Sequence, residues 1–243
     1  EMHFAKQDDA GQAAFWSDTE VQRLLEGLRY FNTANSDGTR LSATFSEPYG
    51  LSIDASGNLY ISDSEQHAVF KISENGRIQL WAGSVGNADN PEEAYLPALE
   101  ARFNEPRGIC CDASGNVYVC DAGNNQIKMI TLKRGVTVLA GDLGGASGYE
   151  DGTPGLLNAP SDIVTDRSSN LFIADTWNHS IRLIKSGAEG LTTLAGDGTP
   201  GDGLGGGAQF STPSALTIDK NGHIYVMDTG NFKIKKIIPH HDV

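Results

Sequence analysis

Cysteine is scarce in this chain, with three thiols among 243 residues, at Cys110, Cys111 and Cys120. An odd number of cysteines packed into so short a stretch is not a disulfide framework. Adjacent residues on a strand point to opposite faces, so Cys110 and Cys111 do not read as a ligand pair, and all three are expected as small buried hydrophobes. No apolar run approaches the roughly 18 residues that a membrane-spanning helix needs. No basic segment followed by an apolar stretch opens the chain, so a signal peptide is expected to be absent or already removed. Low cysteine use fits a cytoplasmic or a secreted protein equally, and the expectation stops at a soluble one. Positive charge is also short. The 18 Lys and Arg face 31 Asp and Glu, for a net charge of −13. That argues against a broad phosphate-binding surface, makes RNA an unfavoured partner, and leaves basic or cationic partners favoured.

Glycine is abundant instead, at 29 residues, with 9 Pro and 39% apolar residues. This is a globular, turn-rich composition. One segment pattern recurs four times: PYGLSIDASGNLYISDSEQHAVFKI from Pro48, PRGICCDASGNVYVCDAGNNQIKMI from Pro106, PSDIVTDRSSNLFIADTWNHSIRLI from Pro160 and PSALTIDKNGHIYVMDTGNFKIKKI from Pro213. A repeat decides architecture before any single motif is weighed. Residues common to all copies are expected to be structural, and function is to be sought where the copies differ.

Each copy reads as strands joined by turns. In the first, Leu51–Ile53 runs to Asp54, Ala55–Asn58 turns with a glycine at Gly57, and Leu59–Ser62 returns, which is a hairpin. Residues Asp63 to His67 break the apolar run before Ala68–Ile72, and a turn at Glu74–Gly76 leads to Ile78–Trp81. Four antiparallel strands make one blade of a β-propeller. The second and third copies close the same way, while the last, Ala215 to Ile237, has three strands. The repeat aspartates Asp63, Asp121, Asp175 and Asp228 are 53 to 58 residues apart. A four-stranded blade needs only about 40 to 45 residues. The excess lies in Gly- and acid-rich linkers, expected as long loops on one face of the disc.

The stretch Gly-Asn-hydrophobic-Tyr-hydrophobic-x-Asp followed by Asn-His-x-Ile-x-x-Ile resembles the NHL repeat family, most closely over Asn58–Ile72, Asn116–Ile130 and Asn170–Ile184. The fourth copy departs, with Gly222-His223 and Asn231-Phe232 in the motif slots, and the first has Gln66-His67. The resemblance spans residues 19–238, leaving an N-terminal extension at 1–18 and a tail at 239–243. It implies an all-β propeller, most often six-bladed, and no one activity, since members include binding and scaffolding modules and a class of lyase. Residues 19–33 align with the third and fourth strands of a preceding blade. A helical alternative rests on a capping box at Ser17–Glu20 and on the spacing of Val21, Leu24, Leu25 and Leu28. Whether the ring closes with four blades or is part of a six-bladed one stays open.

The fourfold Asp invites a catalytic or metal reading, but its recurrence at strand ends suits a carboxylate that accepts backbone N–H groups in the following turn. His67 and His179 occupy the motif position and are expected to pack in turns. No paired-histidine metal spacing occurs. Asp197–Gly203 and Glu150–Gly152 could offer oxygens to calcium, yet neither matches an EF-hand loop. No cofactor is otherwise expected. Asn178-His179-Ser180 is formally a glycosylation acceptor.

Variation between copies concentrates after each repeat's proline, at Tyr49, Arg107, Ser161 and Ser214, then at Gly50, Gly108, Asp162 and Ala215. It recurs in the loop between the second and third strands, at Ser64-Glu65, Ala122-Gly123-Asn124, Thr176-Trp177-Asn178 and Thr229-Gly230-Asn231-Phe232. All these slots are expected on the linker-bearing face, where Tyr49, Arg107 and Trp177 are residue types that interfaces favour. The reading is a non-enzymatic protein- or peptide-binding module using Tyr49, Arg107, Asp162, Trp177, Asn124, Ser214 and Phe232. The alternatives are a hydrolase or lyase with a metal in the central channel, for which Asp162 is the one obvious ligand, and an RNA binder.

Overall fold

A computed structural model of the chain describes residues 5–7, 13–15, 45–74, 76–88 and 94–239. The strands read at 19–33 lie outside the described residues. Strands β1 (Ala5–Gln7) and β2 (Ala13–Phe15) pair with each other as a short antiparallel hairpin.

The repeats form four antiparallel sheets that follow one another as the blades of a β-propeller. Blade 1 is β3 (Pro48–Ile53), β4 (Leu59–Asp63), β5 (Ala68–Ile72) and β6 (Ile78–Gly83). After β7 (Tyr95–Pro97), blade 2 runs through β8 (Pro106–Cys111), β9 (Val117–Asp121), β10 (Gln126–Ile130) and β11 (Gly135–Ala140). Blade 3 holds β12 (Pro160–Thr165), β13 (Leu171–Asp175), β14 (Ser180–Ile184) and β15 (Thr192–Ala195). Among the described residues blade 4 holds three strands, β16 (Pro213–Ile218), β17 (Ile224–Asp228) and β18 (Lys233–Ile237). The first strands of successive blades, β3, β8, β12 and β16, lie side by side. One expectation needs correcting: the first linker is not wholly a surface loop, because β7 adds to the outer edge of blade 2 against β11.

Between blades the strands bury nearly every apolar residue, because both sheet faces are covered. Tyr60, Val69 and Trp81 of blade 1 pack on Phe103, Ile109 and Val119 of blade 2. Cys110, Cys120 and Ile127 meet Leu157, Ile163 and Ile173, and Phe172, Ala174 and Ile181 meet Phe210, Leu216 and Val226. Each buried aliphatic side chain of this size contributes about 1.5–3 kcal/mol. The three thiols are free, Cys110 and Cys120 buried in this packing and Cys111 half-buried. Burial pushes the Cys111 thiol up to about 12.

Two devices hold the blades. The repeat Asp is fully buried and latches the segment entering its own blade: the backbone N–H groups of Ser46, Asn104, Asn158 and Ser211 donate to Asp63, Asp121, Asp175 and Asp228 at 2.6–2.8 Å. The sequence placed backbone bonds in the following turn, where Gln66 N does donate to Asp63; in all four copies that turn donates a side-chain amide, from Gln66, Asn124, Asn178 and Asn231, and the preceding linker supplies the backbone N–H. The second device joins neighbouring blades. His67, Asn125 and His179 sit in the left-handed region (φ 51–54°) and accept the backbone N–H of Glu105, Ala159 and Thr212 in the next blade at 2.8–3.2 Å. The histidines thus do more than fill turns.

Candidate functional site

The cavity between the first two blades contains two of the residues that the sequence singled out. Tyr49 and Arg107 each follow the proline that opens an inner strand, so both stand at the strand-entry end of the channel. Glu47, Ser64, Glu65, His67 and Glu105 complete the lining of a space of about 280 Å³. The Arg107 guanidinium lies 5.7 Å from the centre of the Tyr49 ring, and its Nη2 is 3.1 Å from Glu105 Oε2. A cation over an aromatic face fixes the ring and the guanidinium together. His67, whose Nδ1 accepts from Glu105, forms a wall of the same cavity. Three glutamates against one arginine leave the space net acidic.

Asp162 lies deeper, where the first strands of blades 2, 3 and 4 meet. Gly108 packs so closely that a β-carbon on it would come within 2.4 Å of the Asp162 Cα. One carboxylate oxygen accepts from Ile163 N at 2.9 Å and the other from Leu216 N at 2.7 Å, so Asp162 ties blade 3 to blade 4. Burial raises its pKa to about 6, against the lowering effect of those two donors. Among the described residues no three His, Cys, Asp or Glu side chains come together in a group that could hold a metal ion.

The other predicted positions do not gather at one point. Trp177 is exposed on its turn, its backbone N–H held by the Asn158 carbonyl. Asn124 is buried, and its amide donates to Asp121 at 2.9 Å. Ser214 pairs its hydroxyl with that of Thr229. Phe232 stands almost wholly in solvent at the end of blade 4. The calcium candidates are engaged otherwise. Asp197 accepts from Thr199 and Gln209, and Asp151 accepts from Arg182 and Thr193. Asn178, the formal glycosylation acceptor, is buried and donates to Asp175 and to the Gly148 carbonyl.

One set of charged residues escaped the sequence reading. Lys128, Arg182 and Lys235 occupy one position of the third strand and reach under the sheet to Asp121, Asp175 and Asp228 at 2.5–2.9 Å. Each also lies about 5 Å from an aromatic ring, Phe103, Tyr149 and Phe210 respectively. The signal was the alignment of Lys, Arg and Lys at that slot, with Phe70 there in the first copy. No helix among the described residues is long and apolar enough to cross a membrane.

Comparison with known proteins agrees with this geometry. The NHL repeat model matches residues 103–128 and 210–237. The chain is 30% identical over 225 residues to protein SUPPRESSOR OF QUENCHING 1, chloroplastic, of Arabidopsis thaliana, an alignment covering 84% of this chain and 21% of that protein. It is 30% identical over 247 residues to NHL repeat-containing protein 2 of Gallus gallus, covering 87% of this chain and 33% of that one. The chain therefore spans a third or less of the length of these relatives. A crystal structure of a Bacteroides thetaiotaomicron protein of unknown function superposes with a TM-score of 0.62 at 17% identity, over 78% of this chain and 46% of that one. The repeats, the blades and these similarities together establish that the chain belongs to the NHL-repeat β-propeller family.

Proposed function

We propose that this propeller is a protein-interaction module that captures a basic peptide segment at the cavity between its first two blades. The observation that supports this is the meeting of Tyr49 and Arg107 over an acidic space. The two residues are non-repeating, both were singled out by variation between copies, and they form one cation–aromatic pair. Glu47, Glu65 and Glu105 line the same space and attract a lysine, an arginine or an amino terminus. The Tyr49 ring offers a flat surface for the segment's backbone or apolar side chains. Net charge steers the encounter, because a chain of −13 draws cationic segments from a distance and releases them as salt rises.

The experiment is a titration of lysine- and arginine-containing peptides, scored by fluorescence anisotropy, against the wild-type chain and its Tyr49→Ala, Arg107→Ala and Glu65→Gln variants. The reading expects Tyr49→Ala and Glu65→Gln each to weaken the tightest peptide at least about fivefold, the effect of losing roughly 1 kcal/mol, while Arg107→Ala, which removes the one cation of the space and frees Glu105, shifts binding toward the more cationic peptides. Binding unchanged in all three variants would overturn it.

A further inference from the structure

Two of the staples between successive blades end on an imidazole nitrogen, and one of those imidazoles also faces the acidic cavity. His67 Nδ1 accepts the Glu105 N–H at 3.2 Å, and His179 Nδ1 accepts the Thr212 N–H at 3.0 Å. Asn125 does the same for Ala159 with its amide oxygen, at 2.8 Å. All three residues sit in the left-handed region at φ 51–54°. The backbone therefore holds the acceptor in the same way whether the slot carries His or Asn. The difference is chemical. An amide oxygen accepts at any ordinary pH, whereas an imidazole nitrogen accepts only while it keeps its lone pair.

A proton on His67 Nδ1 would set one N–H against another, donor to donor, and the staple is lost. The imidazolium then has carboxylates at hand. Glu65 lies on the same turn as His67, Glu47 precedes β3 and Glu105 precedes β8, and all three line the cavity of which His67 is a wall. Arg107, near the start of β8, is the one cation in that lining, 3.1 Å from Glu105, and Tyr49 and Ser64 are the uncharged members. From β6, Gly83 lies against the His67 carbonyl and brings no titratable group. Charging His67 thus changes the lining from three glutamates against one cation to three against two.

We infer that His67 is a proton-operated switch for this cavity. Neutral, it staples blade 1 to blade 2 and leaves the space acidic. Protonated, it turns to the glutamates, frees the Glu105 N–H and releases a bound basic segment. The release half rests on the basic-peptide reading above, and the staple half stands apart from it. Histidine changes charge between about pH 5 and 8, where an ordinary glutamate, lysine or arginine stays charged. Acid therefore acts on the wall of the cavity and leaves the peptide's own charges as they were. The staple also bears on the binding residues, because Glu105 pairs with Arg107 and Arg107 lies over the Tyr49 ring.

The test has two arms, each run on the wild-type chain and on His67→Asn, which places at this slot the acceptor that Asn125 supplies in blade 2. The first arm follows amide exchange of the free chain by nuclear magnetic resonance from about pH 8 to about pH 5, expressed as protection factors. Wild-type protection at Glu105 is expected to fall relative to Ala159, whose acceptor is an amide, and Thr212 is expected to fall with Glu105. In His67→Asn, Glu105 is expected to follow Ala159. The second arm titrates the tightest lysine- or arginine-containing peptide at about pH 7.5 and about pH 5.5. Wild-type affinity is expected to drop at least about fivefold in acid, and the ratio of the two affinities in His67→Asn to stay near one. Wild-type Glu105 protection that tracks Ala159 would overturn the inference. So would a wild-type affinity that acid leaves unchanged, or a His67→Asn chain that loses affinity in acid as wild type does. A chain that binds no peptide at either pH defeats the binding reading and the release with it, and the exchange arm alone then decides the staple.

Discussion

Replacing Asp175 by alanine strands a charge. Arg182 is wholly buried, and its Nη1 donates to Asp175 at 2.7 Å, while Nη2 reaches Asp151 at 2.8 Å and the Glu150 carbonyl. The guanidinium cannot shed its proton. Removing Asp175 also releases Asn158 N and Asn178 Nδ2, which donate to the same carboxylate at 2.8 Å each. Breaking a buried pair by deleting one partner costs about 3–5 kcal/mol. The exposed Asp151 retains part of the charge balance, which places the expectation near the lower end, about 3 kcal/mol. For a chain of this size 1 kcal/mol shifts the melting temperature by about 2–4 °C, so Asp175→Ala should melt about 6–12 °C lower. Asp63 provides the comparison, because Phe70 replaces the cation there. Among the described residues its carboxylate accepts from Ser46 N, Glu47 N and Gln66. Asp63→Ala leaves unsatisfied donors without a buried charge, at about 1–3 kcal/mol. The assay is thermal unfolding followed by circular dichroism, with urea titration in parallel. Adding Arg182→Leu to Asp175→Ala should recover part of the loss, because the stranded charge goes with it. An Asp175→Ala chain melting within 2 °C of wild type, or losing no more than Asp63→Ala, would refute the latch-and-cation account.

Two further outcomes are expected. His179→Ala removes the acceptor for Thr212 N and should cost about 1–2 kcal/mol in urea unfolding, with faster amide exchange at Thr212, whereas a structurally idle turn histidine would change neither. Asp162 has a folded pKa of about 6 against about 3.9 unfolded, so the folded chain holds a proton that the unfolded one has lost between those values. Its share of stability therefore falls as pH rises from about 4 to about 6, by up to roughly 3 kcal/mol, and Asp162→Asn should flatten that part of the stability–pH curve.

The fold was legible because the repeat imposes its own register. Asp63, Asp121, Asp175 and Asp228 mark the same strand end four times, and the apolar runs around them leave little choice but four short strands in each of the first three copies and three in the last. What β7 does was not legible: Tyr95-Leu96-Pro97 is too short and too proline-marked to announce a strand, and only β11 beside it makes it one. The pairing of Lys128, Arg182 and Lys235 with the repeat aspartates was present in the alignment, but a lone basic residue in an alternating strand reads as solvent-facing until a buried carboxylate is known to lie opposite. Of the site, Tyr49 and Arg107 were found because they differ between copies. Asn124 was grouped with them, but its slot repeats as Asn178 and Asn231, and each donates to its repeat aspartate, so it belongs to the frame. Variation marks positions released from the repeat, and it does not report which of them open onto a cavity.

The most direct test of the central claim is a crystal structure of the chain with its tightest basic peptide. The account predicts the segment across the Tyr49 ring, with a cationic side chain among Glu47, Glu65 and Glu105 and the Arg107–Tyr49 pair intact. A peptide seated instead at the opposite mouth, in the cavity lined by Cys111, Arg167, Ile218 and Lys220, or paired along β18, would contradict it.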